Sequence, residues 1–207
     1  TPGVEAHTHE FVRTGQVDSK FGFGVAAGDL AEAVERCRKT PAVELIGIHM
    51  HIGSQVFVAD FFHQALEVVA PLLRELALEE VCIGGGLGVP YVTGETAPSI
   101  TEWGQTLRDA WTAAGIESRL TAEPGRSIAA QAAVTVYRVG TIKDVPGIRT
   151  YVSVDGGMSD NPRPVLYGSG YEAFLPRATD APRPRTVTVV GKHCESGDVL
   201  VRDAQVP

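Results

Sequence analysis

The sequence is poor in cysteine and has no long hydrophobic run. Its three cysteines, Cys37, Cys82 and Cys194, are far apart and odd in number, which argues against a disulfide framework and against a CxxC metal motif. No apolar run approaches the roughly 18 residues that a membrane span requires, and the first residues do not resemble a signal peptide. We therefore expect reduced thiols, a cytoplasmic location and no membrane association.

Positive charge is also scarce. The 207 residues include 18 Lys and Arg against 25 Asp and Glu, which gives a formal net charge of −7. Binding to nucleic acid needs clustered basic residues that neutralise phosphates, so the sequence predicts no nucleic-acid partner. With 43% hydrophobic and 21% charged residues, the composition is typical of a globular protein, and a site for a small molecule is the more natural expectation.

Before residue 128 the chain alternates helix-like and strand-like segments. Helical spacing of apolar residues is found over 28–40, 61–78 and 100–115. Short apolar runs that end in polar or glycine-rich loops are found over 43–55, 81–86 and 118–127. Alternation of this kind predicts a parallel sheet that is open or closed into a barrel.

The pattern becomes β-rich after residue 128. Four strand-like segments follow, with no helical segment recognisable between them. We predict a boundary here, with an α/β domain over residues 1–132 and an incomplete β domain over residues 133–207. Because a complete eight-stranded α/β barrel takes about 250 residues, the expected fold class is α/β, part of a TIM-type (β/α)8 barrel followed by part of an all-β domain.

Two loops after predicted strands carry groups suited to an anion. The run GGGLG (84–88) lets backbone N–H groups approach an anion, although a glycine-rich turn without a ligand fits it as well. In EPGRS (123–127), Glu123 ends a strand and Arg126 lies at a predicted helix start, where a phosphate could bind. The alternative for this segment is a surface ion pair between the two residues.

Two pairs of histidines raise the possibility of a metal site. His7 with His9, and His49 with His51, are each spaced to lie on one face of a strand. No third ligand is indicated, so we predict no metal. His51 is of more interest as a flat ring at the carboxyl end of a strand, where ligands of α/β folds bind.

A thiol, an imidazole and a carboxylate are adjacent in GKHCESGD (191–198), where Cys194 lies between His193 and Glu195. A lone cysteine is usually a small buried hydrophobe. Here the polar neighbours and the loop-like residues that follow make burial the weaker explanation. We therefore expect Cys194 to lie on a loop.

Five segments together resemble the diaminopimelate decarboxylases, pyridoxal-phosphate enzymes of the alanine-racemase-like fold. The segments are HMHIGSQ, IGGGLGVPY, EPGRSI, YVSVDGGMSDNPRPVLYG and GKHCESGD. They occur in the order seen in that family and span essentially the whole chain. The resemblance implies a barrel followed by a β domain, pyridoxal 5'-phosphate as the cofactor, and an amino-acid substrate, meso-2,6-diaminopimelate, which is converted to L-lysine in the last step of lysine biosynthesis.

The resemblance also implies roles for single residues in cofactor binding. His51 matches the histidine that stacks on the cofactor ring and takes part in catalysis, and Glu123 matches the carboxylate that pairs with the pyridine nitrogen. The other positions that match the cofactor site are Ser54, Gly84, Gly85, Gly86, Pro124, Gly125 and Arg126.

Further positions match the substrate and proton-transfer groups of the family. Cys194 matches the catalytic proton donor, and Glu195 a substrate contact. Arg163 and Tyr167 match the residues that hold the distal carboxylate and amine of the substrate, and Arg126 lies at the phosphate and substrate end. In the family the Cys-Glu loop comes from the partner subunit, so a homodimer with shared active sites is implied.

Two parts of the family pattern have no match. The lysine that forms the Schiff base lies upstream of residue 1 in the family, and the C-terminal tyrosine motif is missing, so we expect the chain alone to be an inactive fragment. One alternative is a decarboxylase of another basic amino acid, although Arg163 suits a distal carboxylate that such substrates lack. The other is a non-catalytic homologue that binds pyridoxal phosphate, another phosphorylated ligand or only a protein partner.

Overall fold

A computed structural model describes residues 1–4 and 14–207. Its internal contacts divide these residues into two compact units. The first consists of Thr1–Val89 and Thr96–Ala133, and the second of Pro90–Glu95 and Val134–Pro207. His7 and His9, considered above as metal ligands, lie outside the described residues.

Three long helices belong to the first unit, α1 (Asp29–Arg38), α2 (Asp60–Leu76) and α3 (Ile100–Ala113). They confirm the helices predicted from apolar spacing, with ends within two residues of the expected ones. The start of α3 is fixed by a capping box, because Ser99 Oγ accepts the N–H of Glu102 at 3.1 Å and the Glu102 carboxylate accepts the N–H of Ser99 at 2.7 Å.

A three-stranded parallel sheet runs through the first unit in the order β1 (Gly47–His49), β2 (Glu80–Cys82) and β3 (Arg119–Thr121). The predicted strands and their parallel arrangement are confirmed, but each strand is only three residues long. The apolar residues that follow β1, Met50 and Ile52, are 7% and 1% exposed. They pack in the core as expected, although they lie beyond the end of the strand.

The register of the sheet separates its two faces. Ile48, Val81 and Leu120 are aligned across the three strands and pack in the core with α2 and α3. Because successive side chains of a strand point to opposite faces, the next aligned row, His49, Cys82 and Thr121, lies on the other face. Polar groups therefore gather on the side of the sheet that the two helices do not cover.

A short helix, α4 (Gly125–Ala129), follows β3 and places Arg126 in its first turn. This confirms the helix start predicted from EPGRS. A 3-10 turn over Ala130–Ala132 comes directly after it.

The second unit contains a four-stranded mixed sheet in the order β4 (Val139–Val145), β5 (Arg149–Val154), β6 (Arg185–Val190) and β7 (Val199–Val206). The outer pairs are antiparallel, and β5 and β6 are parallel. The four predicted β segments are confirmed.

The expectation that no helix interrupts these strands was wrong. A helix of five residues, α5 (Arg163–Tyr167), lies between β5 and β6. Pro162 and Pro164 favour the first turn of a helix because proline fixes φ near the helical value, and Gly168, with φ of 61°, ends it. The segment is too short for a period of 3.6 residues to be recognised in the sequence. Among the described residues, no helix is long and apolar enough to cross a bilayer.

Candidate functional site

The residues expected to hold a cofactor in the first unit follow its three parallel strands. His51 lies two residues after β1, the glycine run follows β2, and Glu123 lies two residues after β3. The loops are joined by backbone hydrogen bonds, since the N–H of Glu123 donates to the carbonyl oxygen of Gly84 at 2.9 Å and the N–H of Val56 to that of Gly86 at 2.9 Å. They therefore form one continuous rim at the carboxyl edge of the sheet.

Close packing explains the glycine run. A Cβ atom at Gly85 would overlap the carbonyl oxygen of Glu123, and one at Gly86 would overlap that of Gly53. Gly84 and Gly86 also have φ of 69° and 98°, values that favour glycine. The run is therefore more than a surface turn, because it allows three loops to meet without side chains between them.

The ring of His51 is half-buried at this rim. Its Nδ1 accepts a long hydrogen bond of 3.4 Å from the N–H of Gly85, and its carbonyl oxygen accepts one of 2.7 Å from the hydroxyl of Thr14. Burial and the nearby His49 lower the pKa of His51, and Glu123 only partly opposes this effect. The lowered pKa favours the neutral form of the ring, which has a flat face suited to an aromatic ligand.

A carboxylate and a guanidinium lie at the same rim. The carboxylate of Glu123 has His49 as its partner, with 3.0 Å between Oε2 and Nε2. Arg126 places Nη2 at 3.4 Å from the hydroxyl oxygen of Ser54. The residues expected at the phosphate end of a cofactor, Ser54 and Arg126, are thus brought together.

A cavity of about 420 Å³ opens on the polar face of the sheet. It is lined by residues of all three strands, among them His49, Cys82 and Thr121, and by Glu123 beyond the end of β3. The volume falls within the range of small-molecule pockets. The first unit therefore offers space beside the carboxylate of Glu123.

This face also assembles three possible metal ligands, of which the sequence analysis considered only His49. Ligand atoms of His49, Cys82 and Glu123 lie within 4.8 Å of one another. His51, the sequence partner considered for His49, does not belong to this set. The alignment of His49 with Cys82 follows from the parallel register, for which residue spacing gives no signal.

In the second unit, Arg163 and Tyr167 lie one turn apart on α5. The guanidinium carbon of Arg163 is 5.1 Å from the centre of the Tyr167 ring, and Nη2 is 3.4 Å from the hydroxyl oxygen of Ser169. Nε of Arg163 is buried without a hydrogen-bond partner among the described residues. Such a guanidinium retains a donor for a carboxylate.

Cys194 is exposed on a loop of the second unit, as predicted, and Glu195 beside it is exposed as well. Cys37, Cys82 and Cys194 are all free cysteines, none of them in a disulfide.

Asp198 is a residue of this loop that the sequence analysis missed. It is 2% exposed, and its carboxylate accepts the backbone N–H groups of Met158 and His193. The side chains of Ser159 and His193 also meet, with 2.8 Å between Oγ and Nε2. The segments DGGMSD and GKHCESGD are therefore held together, and the only sequence signal for this was an acidic residue placed directly before a strand.

Comparison with known proteins identifies the first unit. Residues 1–130 match the family model described as the pyridoxal binding domain of pyridoxal-dependent decarboxylases. The chain belongs to this family. Its first unit carries the groups discussed above at the rim of the parallel sheet, and the family's description agrees with pyridoxal phosphate, the cofactor expected from the sequence motifs.

Curated decarboxylases of this family are similar over the whole chain. The diaminopimelate decarboxylase of Synechocystis sp. is 46% identical over 217 residues, and that of Mycobacterium tuberculosis is 47% identical over 227 residues. Each alignment covers 100% of this chain but only 46% and 51% of those proteins. The chain thus spans about half the length of the curated relatives it matches.

A solved decarboxylase has the same fold. The crystal structure of diaminopimelate decarboxylase from Helicobacter pylori complexed with L-lysine matches with a TM-score of 0.86 and 30% identity, covering 100% of this chain and 51% of that one. The predicted fold class, part of a TIM-type barrel followed by part of an all-β domain, is confirmed.

Proposed function

We propose that the protein containing this chain is a diaminopimelate decarboxylase that uses pyridoxal phosphate to convert meso-2,6-diaminopimelate into L-lysine. One observation carries the proposal. An imidazole, a carboxylate and a guanidinium with a hydroxyl meet at the carboxyl ends of three parallel strands, on His51, Glu123, Arg126 and Ser54. The identity to curated diaminopimelate decarboxylases supports the same activity, and a role in lysine biosynthesis follows from it.

The residues at the rim fit this cofactor. His51 would contact the pyridine ring with its neutral imidazole, and Glu123 would accept the pyridine N–H. Ser54 and Arg126 would bind the phosphate, together with backbone groups of the glycine run and of Pro124 and Gly125. When bound, pyridoxal phosphate supplies an electron sink for the electron pair that the departing carboxylate leaves behind.

Arg163 supports a substrate with a second carboxylate. Its buried Nε lacks a partner among the described residues, and an arginine binds a carboxylate through charge-assisted hydrogen bonds. Tyr167, whose ring lies against the guanidinium, would contact the distal amine. Ornithine and lysine have no distal carboxylate, so this arrangement favours diaminopimelate over a basic amino acid.

The loop of Cys194 would complete the reaction. The exposed thiol would donate a proton to the carbon that has lost its carboxylate, and Glu195 would bind the substrate amine. The proposal includes a homodimer in which this loop serves the site of the partner subunit. It also includes a cytoplasmic location. A further part of the proposal is a domain boundary near residue 133, and the division of internal contacts after Ala133 supports this boundary.

The test is an assay of the complete gene product with several substrates. Release of CO2 would be measured with diaminopimelate, ornithine and lysine after loading with pyridoxal phosphate. We expect kcat/KM for diaminopimelate to exceed that for the other two by at least about tenfold, because only diaminopimelate offers Arg163 a carboxylate. Faster turnover of ornithine or lysine would support the alternative decarboxylase, and cofactor absorbance without turnover would support a non-catalytic homologue.

A further inference from the structure

The contact between His49 and Glu123 has no role in the function proposed above. Nε2 of His49 lies 3.0 Å from Oε2 of Glu123. His49 ends β1 and Glu123 lies beyond β3, so the contact crosses the width of the sheet past Cys82 of β2. His49 and Glu123 are 74 residues apart in the sequence, so the fold brings the imidazole of one strand end to the carboxylate that follows another.

In this chain the side chains of His49 and Glu123 are 52% and 63% exposed, and an ion pair or hydrogen bond with that exposure contributes little to stability. The contact does determine where the carboxylate points. It engages Oε2 and leaves Oε1 for a second partner, since each carboxylate oxygen can accept a hydrogen bond.

We infer that His49 is a positioning residue whose imidazole holds the Glu123 carboxylate ready to accept the pyridine N–H of pyridoxal phosphate. The inference rests on the proposed function, because it requires Glu123 to be the partner of the cofactor. A carboxylate that is already oriented loses less freedom on binding than one that rotates. Hydrogen-bonded groups that orient a binding residue commonly change affinity or activity by about tenfold or more when they are removed.

His49, which ends β1, and His51, which follows it, would then have separate tasks. His51 lies two residues further along the chain, and its Nδ1 is engaged by the N–H of Gly85. It therefore offers a ring face, whereas His49 offers a donor aimed at a carboxylate. This division explains why a second histidine precedes the one that the family motif assigns to the cofactor.

A metal ion is the competing interpretation, because His49 and Glu123 form a possible ligand set with Cys82. A cation at this position would engage Glu123 and compete with pyridoxal phosphate. The two interpretations differ on Cys82. If His49 orients Glu123, loss of the thiol leaves cofactor binding unchanged, whereas in a cation site the thiol is one of three ligands.

The experiment compares two cofactors in the complete gene product. Dissociation constants are measured by fluorescence for pyridoxal phosphate and for its 1-deaza analogue, which has carbon in place of the pyridine nitrogen and cannot donate to Glu123. The ratio of the two constants reports the contact to Glu123 alone, since a general loss of structure weakens both ligands equally. The variants are His49→Leu, His49→Gln, Glu123→Gln and Cys82→Ala, with His63→Leu as a control.

His49→Leu is expected to lower the preference for pyridoxal phosphate over the deaza analogue by about tenfold. Glu123→Gln should lower it at least as much, and His49→Gln should retain most of it because its amide can donate to the carboxylate. His63, a partly exposed histidine of α2 near the carboxylate of Glu67, is the matched control, and its replacement should leave the preference intact.

Three results would overturn the inference, and they differ in what they say about the function. A wild-type preference in His49→Leu, with normal decarboxylation by the wild-type protein, rejects the positioning role and leaves the function standing. Stoichiometric zinc binding that Cys82→Ala abolishes, with tighter binding of pyridoxal phosphate after chelation, favours the cation site. Failure of the wild-type protein to bind pyridoxal phosphate rejects both the inference and the proposed function.

Discussion

Asp198 accepts a hydrogen bond of 2.9 Å from the backbone N–H of His193, the residue that precedes Cys194. Its other carboxylate oxygen accepts the N–H of Met158 at 2.7 Å. Because Asp198 is 2% exposed, water cannot readily replace either bond. A buried carboxylate thus fixes the loop that presents the exposed thiol.

Asp198→Asn should destabilise the complete gene product. Asparagine keeps one acceptor oxygen but turns an amide N–H₂ toward a backbone N–H, so we expect the free energy of unfolding in urea to fall by about 1.5–3 kcal/mol. Asp203→Asn is the matched control, because Asp203 is exposed and its φ of 52° suits asparagine. A change at Asp198 as small as the control's, below about 0.5 kcal/mol, would contradict the structural role.

Arg163→Ala should raise KM for diaminopimelate by about 10-fold to 100-fold, because charge-assisted hydrogen bonds to a carboxylate contribute about 1.5–3 kcal/mol. Binding of pyridoxal phosphate, followed by its absorbance, should remain unchanged. Arg177→Ala, at an exposed arginine of the same unit, is the control and should leave KM unchanged. An unaltered KM in Arg163→Ala would show that this residue does not recognise the substrate.

The lowered pKa of His51 predicts a dependence of stability on pH. Burial lowers the pKa of the ring in the folded state, while in the unfolded chain it titrates near 6.5. Below that value the unfolded state binds more protons, so stability is lost as the pH falls through 6.5 toward the folded pKa. The free energy of unfolding should therefore drop less between pH 7.5 and 5.5 in His51→Gln than in the wild-type protein, and equal drops would contradict the prediction.

The three long helices could be predicted because their apolar spacing extends over ten or more residues. The strands could be predicted because short apolar runs end in polar or glycine-rich loops. The helix α5 could not, since five residues contain less than two turns and its signals are the two prolines and Gly168 rather than a period. Arg163 and Tyr167 were nevertheless selected from the motif, and the helix explains how residues four apart come into contact.

The contacts of the candidate site could be predicted only in part. His51 and Glu123 were both assigned to the cofactor site from the family motifs, and the parallel sheet explains how their loops come to one edge. The pairing of His49 with Glu123 depends on which residues of β1 and β3 are aligned, and this alignment is set by strand register rather than by spacing. Asp198 escaped notice because its partners are backbone N–H groups, which every residue except proline has.

A proton donor is needed at the carbon that loses its carboxylate, and a thiol suits this step because it is mostly protonated at neutral pH and yields its proton readily. Cys194 meets the requirement of access, since its side chain is exposed on a loop that Asp198 holds in place. Cys194→Ala should therefore lower kcat by about 100-fold or more, with cofactor binding and thermal stability unchanged. Cys37→Ala, which removes a free thiol from α1, is the control and should leave kcat unaffected.

If the Cys194 loop serves the partner's site, mixing Cys194→Ala with an inactive Glu123→Ala variant should restore up to about a quarter of wild-type activity. The reason is that half of the randomly formed dimers then contain one intact site of two. Normal turnover of Cys194→Ala would remove the proton-donor role, and no recovery after subunits have been shown to exchange would contradict a shared site.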